Sequence, residues 1–192
     1  ALADVRLESL DVRAELDAPL ATTTMEFVVS NPGTVPAEAE LLVPVPDGAT
    51  VTAFTFEGTA KAPTARVLPR DEAKAAYREI VARLIDPALL EFAGRDAVRT
   101  SVFPVPAQDT LTVTLRYETL MASEAGRFDY VLPRSGDPAS VPTRVRVQVE
   151  GSTRALYSPT HPVVERAATR FEVTSGPDGR LVPGDLRLSL LV

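Results

Sequence analysis

Leu68-Pro69-Arg70-Asp71-Glu72-Ala73-Lys74-Ala75-Ala76-Tyr77-Arg78-Glu79-Ile80-Val81-Ala82-Arg83-Leu84-Ile85-Asp86-Pro87-Ala88-Leu89-Leu90-Glu91-Phe92 runs on towards Thr100-Ser101-Val102-Phe103-Pro104-Val105-Pro106, and places a helical pattern inside a chain that otherwise reads as strand. Ala73, Ala76, Tyr77, Ile80, Val81, Leu84 and Ile85 recur at the i, i+3, i+4, i+7 spacing that puts one apolar stripe on a helix. Pro69 brings a preset φ, and the carboxylates of Asp71 and Glu72 suit the positive end of the helix dipole. Glu79 and Arg83 stand one turn apart in the favourable order. Asp86 then reads as an N-cap and Pro87 as the first-turn proline of a second, shorter helix closing near Gly94. The stretch predicts an α-helical hairpin over about 69–93, inserted between strands.

Outward from the hairpin the period changes to two. Val12, Ala14, Leu16; Met25, Phe27, Val29; Ala39, Leu41, Val43, Val45; Phe54, Phe56; Leu111, Val113, Leu115, Tyr117; Phe128, Tyr130, Leu132; Val145, Val147, Val149; Phe171, Val173; and Leu186, Leu188, Leu190 each alternate with polar residues. That is the signature of strands with one buried face. Val5 and Leu7 fall out of phase with Leu10, Val12 and Ala14, so a bulge is expected near Glu8 and Ser9. Asn31-Pro32-Gly33, Pro46-Asp47-Gly48, Ala125-Gly126, Ser135-Gly136-Asp137-Pro138, Glu150-Gly151-Ser152 and Gly176-Pro177-Asp178-Gly179 separate the runs with turn chemistry. The expectation is a mainly β fold: an antiparallel β-sandwich of about ten to twelve strands carrying the helical hairpin, in one domain over 1–192.

Composition narrows function by exclusion. The net charge is −6 and only two lysines, Lys61 and Lys74, are present, while the arginines are scattered along the sequence rather than patched; nucleic-acid binding is not expected. With no cysteine there is no disulfide, thiolate nucleophile or cysteine metal site. No apolar run approaches the roughly eighteen residues of a transmembrane helix. The sole histidine, His161, lies between Ser158-Pro159-Thr160 and Pro162 and reads as a solvent-facing loop residue rather than a catalytic base. No Gly-x-Ser-x-Gly elbow supports Ser158, no glycine cradle precedes the helix, and the carboxylate pair Glu38 and Glu40 shares the wet face of a strand. No catalytic residue, metal or cofactor is expected.

The ordered blocks Thr24-Met25-Glu26-Phe27-Val28-Val29-Ser30-Asn31-Pro32, Pro36-Ala37-Glu38-Ala39-Glu40-Leu41-Leu42-Val43-Pro44-Val45-Pro46, Glu72-Ala73-Lys74-Ala75-Ala76-Tyr77, Asp86-Pro87-Ala88-Leu89-Leu90-Glu91 and Val102-Phe103-Pro104-Val105-Pro106 resemble the VIT domain, the vault protein inter-alpha-trypsin domain. The resemblance is sharp over roughly residues 5–120, with 121–192 read as strands completing the sandwich, and the Asp-Pro-Ala-Leu-Leu-Glu block looks like bacterial members. It implies a non-enzymatic interaction or scaffold domain of a protein that also carries a von Willebrand factor type A domain, secreted, periplasmic or attached to the cell envelope, with that A-type domain in the same parent chain as the expected partner. The motif residues Asn31, Pro32, Glu38, Ala39, Tyr77, Asp86, Pro87, Leu90, Glu91, Phe103 and Pro104 explain themselves as turn, cap and packing positions. If a partner patch exists, Leu89, Phe92 and Arg95 are its expected anchors, an aromatic and an arginine beside a fixed turn, while burial tendencies alone favour Leu89 and Phe92 as core residues. The alternative function is a carbohydrate-binding adhesion module; against it stand the absence of tryptophan and a set of four tyrosines, Tyr77, Tyr117, Tyr130 and Tyr157, mostly in phase with core positions.

Overall fold

Val12, Ala14 and Leu16 turn inward while Arg13, Glu15 and Asp17 between them stay exposed, and this alternation makes Arg6–Asp17 the first strand, β1, of the computed structural model. The structure describes residues 5–56, 64–68, 71, 72, 75, 96–134, 141–151 and 155–192. The strands that follow are β2 (Leu20–Asn31), β3 (Ala37–Pro44), β4 (Thr50–Phe56), β5 (Thr64–Leu68), β6 (Ala97–Val105), β7 (Asp109–Leu120), β8 (Ala122–Glu124), β9 (Arg127–Leu132), β10 (Thr143–Val149), β11 (Ala155–Tyr157), β12 (Val163–Ala167), β13 (Arg170–Val173) and β14 (Leu186–Leu191). They form a seven-stranded sheet in the order β12-β13-β10-β1-β2-β7-β4, a four-stranded sheet β11-β14-β9-β8 and a three-stranded sheet β3-β6-β5.

The mainly β character is as the alternation predicts, and the expected antiparallel sandwich of about ten to twelve strands in two sheets is matched only roughly. Fourteen strands lie in three sheets among the described residues, and β1 pairs with β10 in parallel, from Leu10 opposite Thr143 to Leu16 opposite Val149. Alternation reports which face a strand buries; it carries no information on which neighbour it takes or in which direction, so Val145, Val147 and Val149 read the same either way. Prolines mark the strand ends of the third sheet: Pro44 ends β3, Pro104 is the penultimate residue of β6 and Pro106 follows it. Of the expected helical hairpin only Asp71, Glu72 and Ala75 are described, and these three are helical; the rest of 69–93 lies outside the described residues. The register between β1 and β2 shifts between Leu7 and Ser9, where the change of phase places a bulge.

One buried cluster joins the three sheets. Val12, Leu16, Met25, Phe27, Leu115 and Val147 from the large sheet pack with Tyr130, Leu132, Leu186, Leu188 and Leu190 from the four-stranded sheet and with Ala39, Val43, Val98 and Val102 from the small one. Each fully buried leucine among them contributes about 1.5–3 kcal/mol relative to exposure. Thr23 Oγ1 and Tyr130 OH hydrogen-bond at 2.9 Å inside this core, a polar tie between the large and four-stranded sheets. The opposite face of the large sheet is therefore a polar surface, and the side chains between the buried ones on β1, β10 and β13 meet there.

Candidate interaction surface

The motif residues take different places. Asn31 ends β2 with 1% of its surface exposed, its Nδ2 donating to the carbonyls of Val35 at 2.8 Å and Val105 at 3.0 Å while its Oδ1 accepts from Gly33 N at 2.9 Å. The carboxamide has one acceptor oxygen and two N–H donors, and here it holds the turn after β2 against the end of β6. Pro32 and Glu38 are exposed, Ala39 is buried, and Pro104 is half-buried on β6, the strand that also carries Phe103. Tyr77, Asp86, Pro87, Leu90 and Glu91, and with them the expected anchors Leu89, Phe92 and Arg95, lie outside the described residues.

A groove of about 330 Å³ opens on the polar face of the large sheet, lined by Arg13 and Glu15 of β1, Arg144, Arg146 and Gln148 of β10, Arg166 of β12, and Arg170 and Glu172 of β13. Five arginines that lie far apart in the sequence are thus gathered on four adjacent strands, and the expectation of scattered arginines is corrected. The signal was their phase: Arg13 sits between Val12 and Ala14, and Arg144 and Arg146 flank Val145, so once β10 lies beside β1 they share the outward face.

Carboxylates hold some of these guanidiniums. Arg146 Nη2 donates to Asp11 Oδ1 at 2.7 Å and Arg13 Nη2 to Glu26 Oε1 at 3.4 Å. Arg144 Nε and Arg166 Nε both donate to Glu172, at 3.2 and 3.0 Å on its two oxygens. The Arg166 hydrogen bond, with Arg144 beside it, keeps the Glu172 carboxyl below its ordinary pKa. Arg170 makes no side-chain hydrogen bond or ion pair among the described residues, and Arg146 Nε is buried without a partner. The face has local guanidinium excess inside a chain of net charge −6.

His161 overturns its expected exposure: it is 4% exposed. Its Nε2 lies 2.8 Å from the Val182 carbonyl, which only an N–H can satisfy, so in the neutral ring Nδ1 is the acceptor for Thr160 Oγ1 at 2.9 Å. Arg134 Nη1 also donates to the Val182 carbonyl, at 2.5 Å, and to Gly184 O at 3.2 Å; its 3.3 Å approach to Nε2 is then a contact between two donors. Burial, and secondarily the Arg134 charge, push the imidazole pKa below its ordinary value, against the pull of the Val182 carbonyl. Local sequence gave no sign of this, because the burial is supplied by the 181–184 loop. Both imidazole nitrogens are engaged within the chain, and the residue pins that loop. Deeper in the core, burial raises the Tyr117 pKa to about 12, the nearby Thr23 and Tyr130 hydroxyls acting in the opposite direction, and the Tyr117 hydroxyl has no well-formed hydrogen bond.

Among the described residues no group of three or more His, Asp or Glu side chains is placed to hold a metal ion, and no helix is long and apolar enough to cross a membrane. Residues 7–117 match the family model of the vault protein inter-alpha-trypsin domain. No curated protein sequence matches the chain. In three dimensions the chain is similar to a Legionella pneumophila protein named for nutrient binding, with a TM-score of 0.57 at 11% identity over 100% of this chain and 68% of that one. It is also similar to leukotriene A4 hydrolase from Saccharomyces cerevisiae, with a TM-score of 0.51 at 8% identity over 97% of this chain and 29% of the hydrolase. An M1 zinc metallopeptidase from Deinococcus radiodurans aligns at a TM-score of 0.48 and 12% identity, over 98% of this chain and 43% of the peptidase. At these identities the likeness to the first two is one of fold, and the chain spans less than half the length of the hydrolase and of the peptidase.

Proposed function

The chain belongs to the vault protein inter-alpha-trypsin (VIT) domain family, and from that premise we propose that it works as a non-enzymatic interaction and scaffold domain, docking on an A-type domain of the same parent chain or on another protein. The family match is the observation that carries this reading. Two features of the structure support it: the one imidazole is buried and occupied by intrachain hydrogen bonds, and the concave feature on the large sheet is lined by arginines beside carboxylates already engaged with them, an arrangement suited to recognition.

In this reading the domain extends over 1–192 rather than ending with the family match. In support, β10 is hydrogen-bonded in register with β1, and Tyr130, Leu132, Leu186 and Leu190 belong to the same buried cluster as Val12 and Leu115. The parent protein acts outside the cytoplasm of a bacterium, at the envelope or after secretion, and Leu89, Phe92 and Arg95 remain the sequence-derived anchors for the A-type partner. Calorimetry of this chain against the A-type domain of its parent tests the docking. Micromolar association, weakened by Phe92→Ala or Arg95→Ala, is the expected result; no association at about 100 µM of both partners discards A-domain docking.

A further inference from the structure

We propose that the groove on the outer face of the seven-stranded sheet binds an extended, carboxylate-rich polypeptide segment through Arg144, Arg166 and Arg170. This binding does not depend on an A-type domain as the partner.

The charge inventory identifies the ligand's sign. Two guanidiniums, Arg144 and Arg166, share a single carboxylate, Glu172, and Arg170 lines the same groove with no side-chain hydrogen bond or ion pair of its own among the described residues. The Arg144 and Arg166 side chains are 58% and 61% exposed, so their ion pairs with Glu172 are of the weak, solvent-screened kind that an incoming carboxylate can exchange. A guanidinium presents a planar fork of N–H donors that fits a carboxylate in bidentate fashion. In a protein of net charge −6, this gathering opposes the overall charge.

Geometry selects the class of anion. Alternate residues on one strand, such as Arg170 and Glu172 on β13, repeat at roughly 6.6–6.8 Å, the spacing of alternate side chains in any extended chain, and neighbouring strands place Arg144 and Arg166 on either side of β13 at a strand spacing of about 4.8 Å. A volume of about 330 Å³ is far more than one small inorganic anion fills. Glu15 and Glu172 in the lining would repel the uniform charge of a nucleic acid or polyphosphate, whereas carboxylates spaced along an extended peptide can settle between them on the arginines. An acidic polysaccharide would call for an aromatic platform, and the only aromatic in the lining is the half-buried Phe171.

The test titrates the full 192-residue chain into a fluorescent peptide of about ten residues alternating Glu and Thr, read by anisotropy, with a Gln and Thr peptide of the same length as control. Saturable binding with Kd of about 10–100 µM near 50 mM salt, weakening severalfold by about 150 mM, is expected for the acidic peptide alone. Arg166→Gln and Arg170→Gln should each weaken it about fivefold or more, and Glu172→Gln should tighten it about threefold by removing the internal competitor. Should either arginine variant fail to fold, the Glu172→Gln titration decides. No saturation by about 1 mM peptide, unchanged affinity in the folded arginine variants or in Glu172→Gln, or tighter binding of a uronic-acid oligosaccharide or a DNA oligonucleotide of equal charge overturns the assignment.

Discussion

Replacing Asn31 by alanine should be strongly destabilising, because one buried carboxamide serves three backbone groups at once: Val35 O at 2.8 Å, Val105 O at 3.0 Å and Gly33 N at 2.9 Å. Each intramolecular hydrogen bond is worth about 1 kcal/mol net, and a polar group left buried without a partner adds about 1–3 kcal/mol. The Val105 carbonyl lies at the buried end of this set. The sum is a loss of about 4–6 kcal/mol, which is roughly 8–24 °C in the thermal midpoint of a domain this size. Urea unfolding followed by circular dichroism measures it, with an unchanged m-value required for the comparison. Asn31→Asp makes the test sharper, since it keeps the volume and the acceptor for Gly33 N but turns both donors into carboxylate oxygen facing two carbonyls; it should destabilise at least as much as alanine. A loss below about 1 kcal/mol for Asn31→Ala, or an aspartate variant as stable as the parent, would refute the reasoning that the side chain clasps the turn to β6.

Three further outcomes follow from the core and its turns. Tyr117→Phe removes a buried hydroxyl without a well-formed partner and should be neutral or stabilising, while Tyr130→Phe breaks the 2.9 Å bond to Thr23 and should cost about 1 kcal/mol; the reverse order in urea titrations would contradict the assignment. The folded state holds His161 below the pKa of 6.5 that the unfolded chain shows, so the unfolded state takes up the proton first; its contribution is complete at neutral pH and is lost as pH falls through 6.5 towards the lower folded value. Thermal midpoints measured from about pH 7.5 to pH 5 should therefore fall less steeply for His161→Gln than for the parent, and parallel profiles would count against a buried neutral imidazole. Gly179→Ala should cost about 1–2 kcal/mol by the same titration, since φ is +74° there and an added Cβ would stand 3.3 Å from Pro142 Cβ.

The sequence exposed whatever depends on phase and hid whatever depends on distant neighbours. The inward sets Val12, Ala14, Leu16 and Leu186, Leu188, Leu190 were legible because a strand repeats every two residues, and the bulge between Leu7 and Ser9 was legible because the phase breaks there. The parallel partnership of β1 with β10 was not, since no local signal in Val145-Arg146-Val147 names its neighbour. The arginine groove was lost with it: Arg13, Arg144, Arg146, Arg166 and Arg170 read as scattered until strand order collects them. His161 was misread for a related reason, its cover and hydrogen-bond acceptor coming from Val182 on a separate loop. The partner anchors Leu89, Phe92 and Arg95 rest on sequence chemistry alone.

The parallel ladder between β1 and β10 also sets a timetable for the growing chain. During synthesis β1 and β2 can zip together early, but Leu10 must wait for Thr143 and Leu16 for Val149 before the second edge of β1 is covered. Such non-local pairing makes acquisition of the native state slow, and an uncovered edge invites strand exchange with other copies. Asp11, Arg13 and Glu15 place alternating charges along that edge, the kind of gatekeeper that discourages self-association while it is bare. A fragment cut at residue 117, where the family match stops, would hold β1 permanently in that bare condition, so it should precipitate where the longer chain folds.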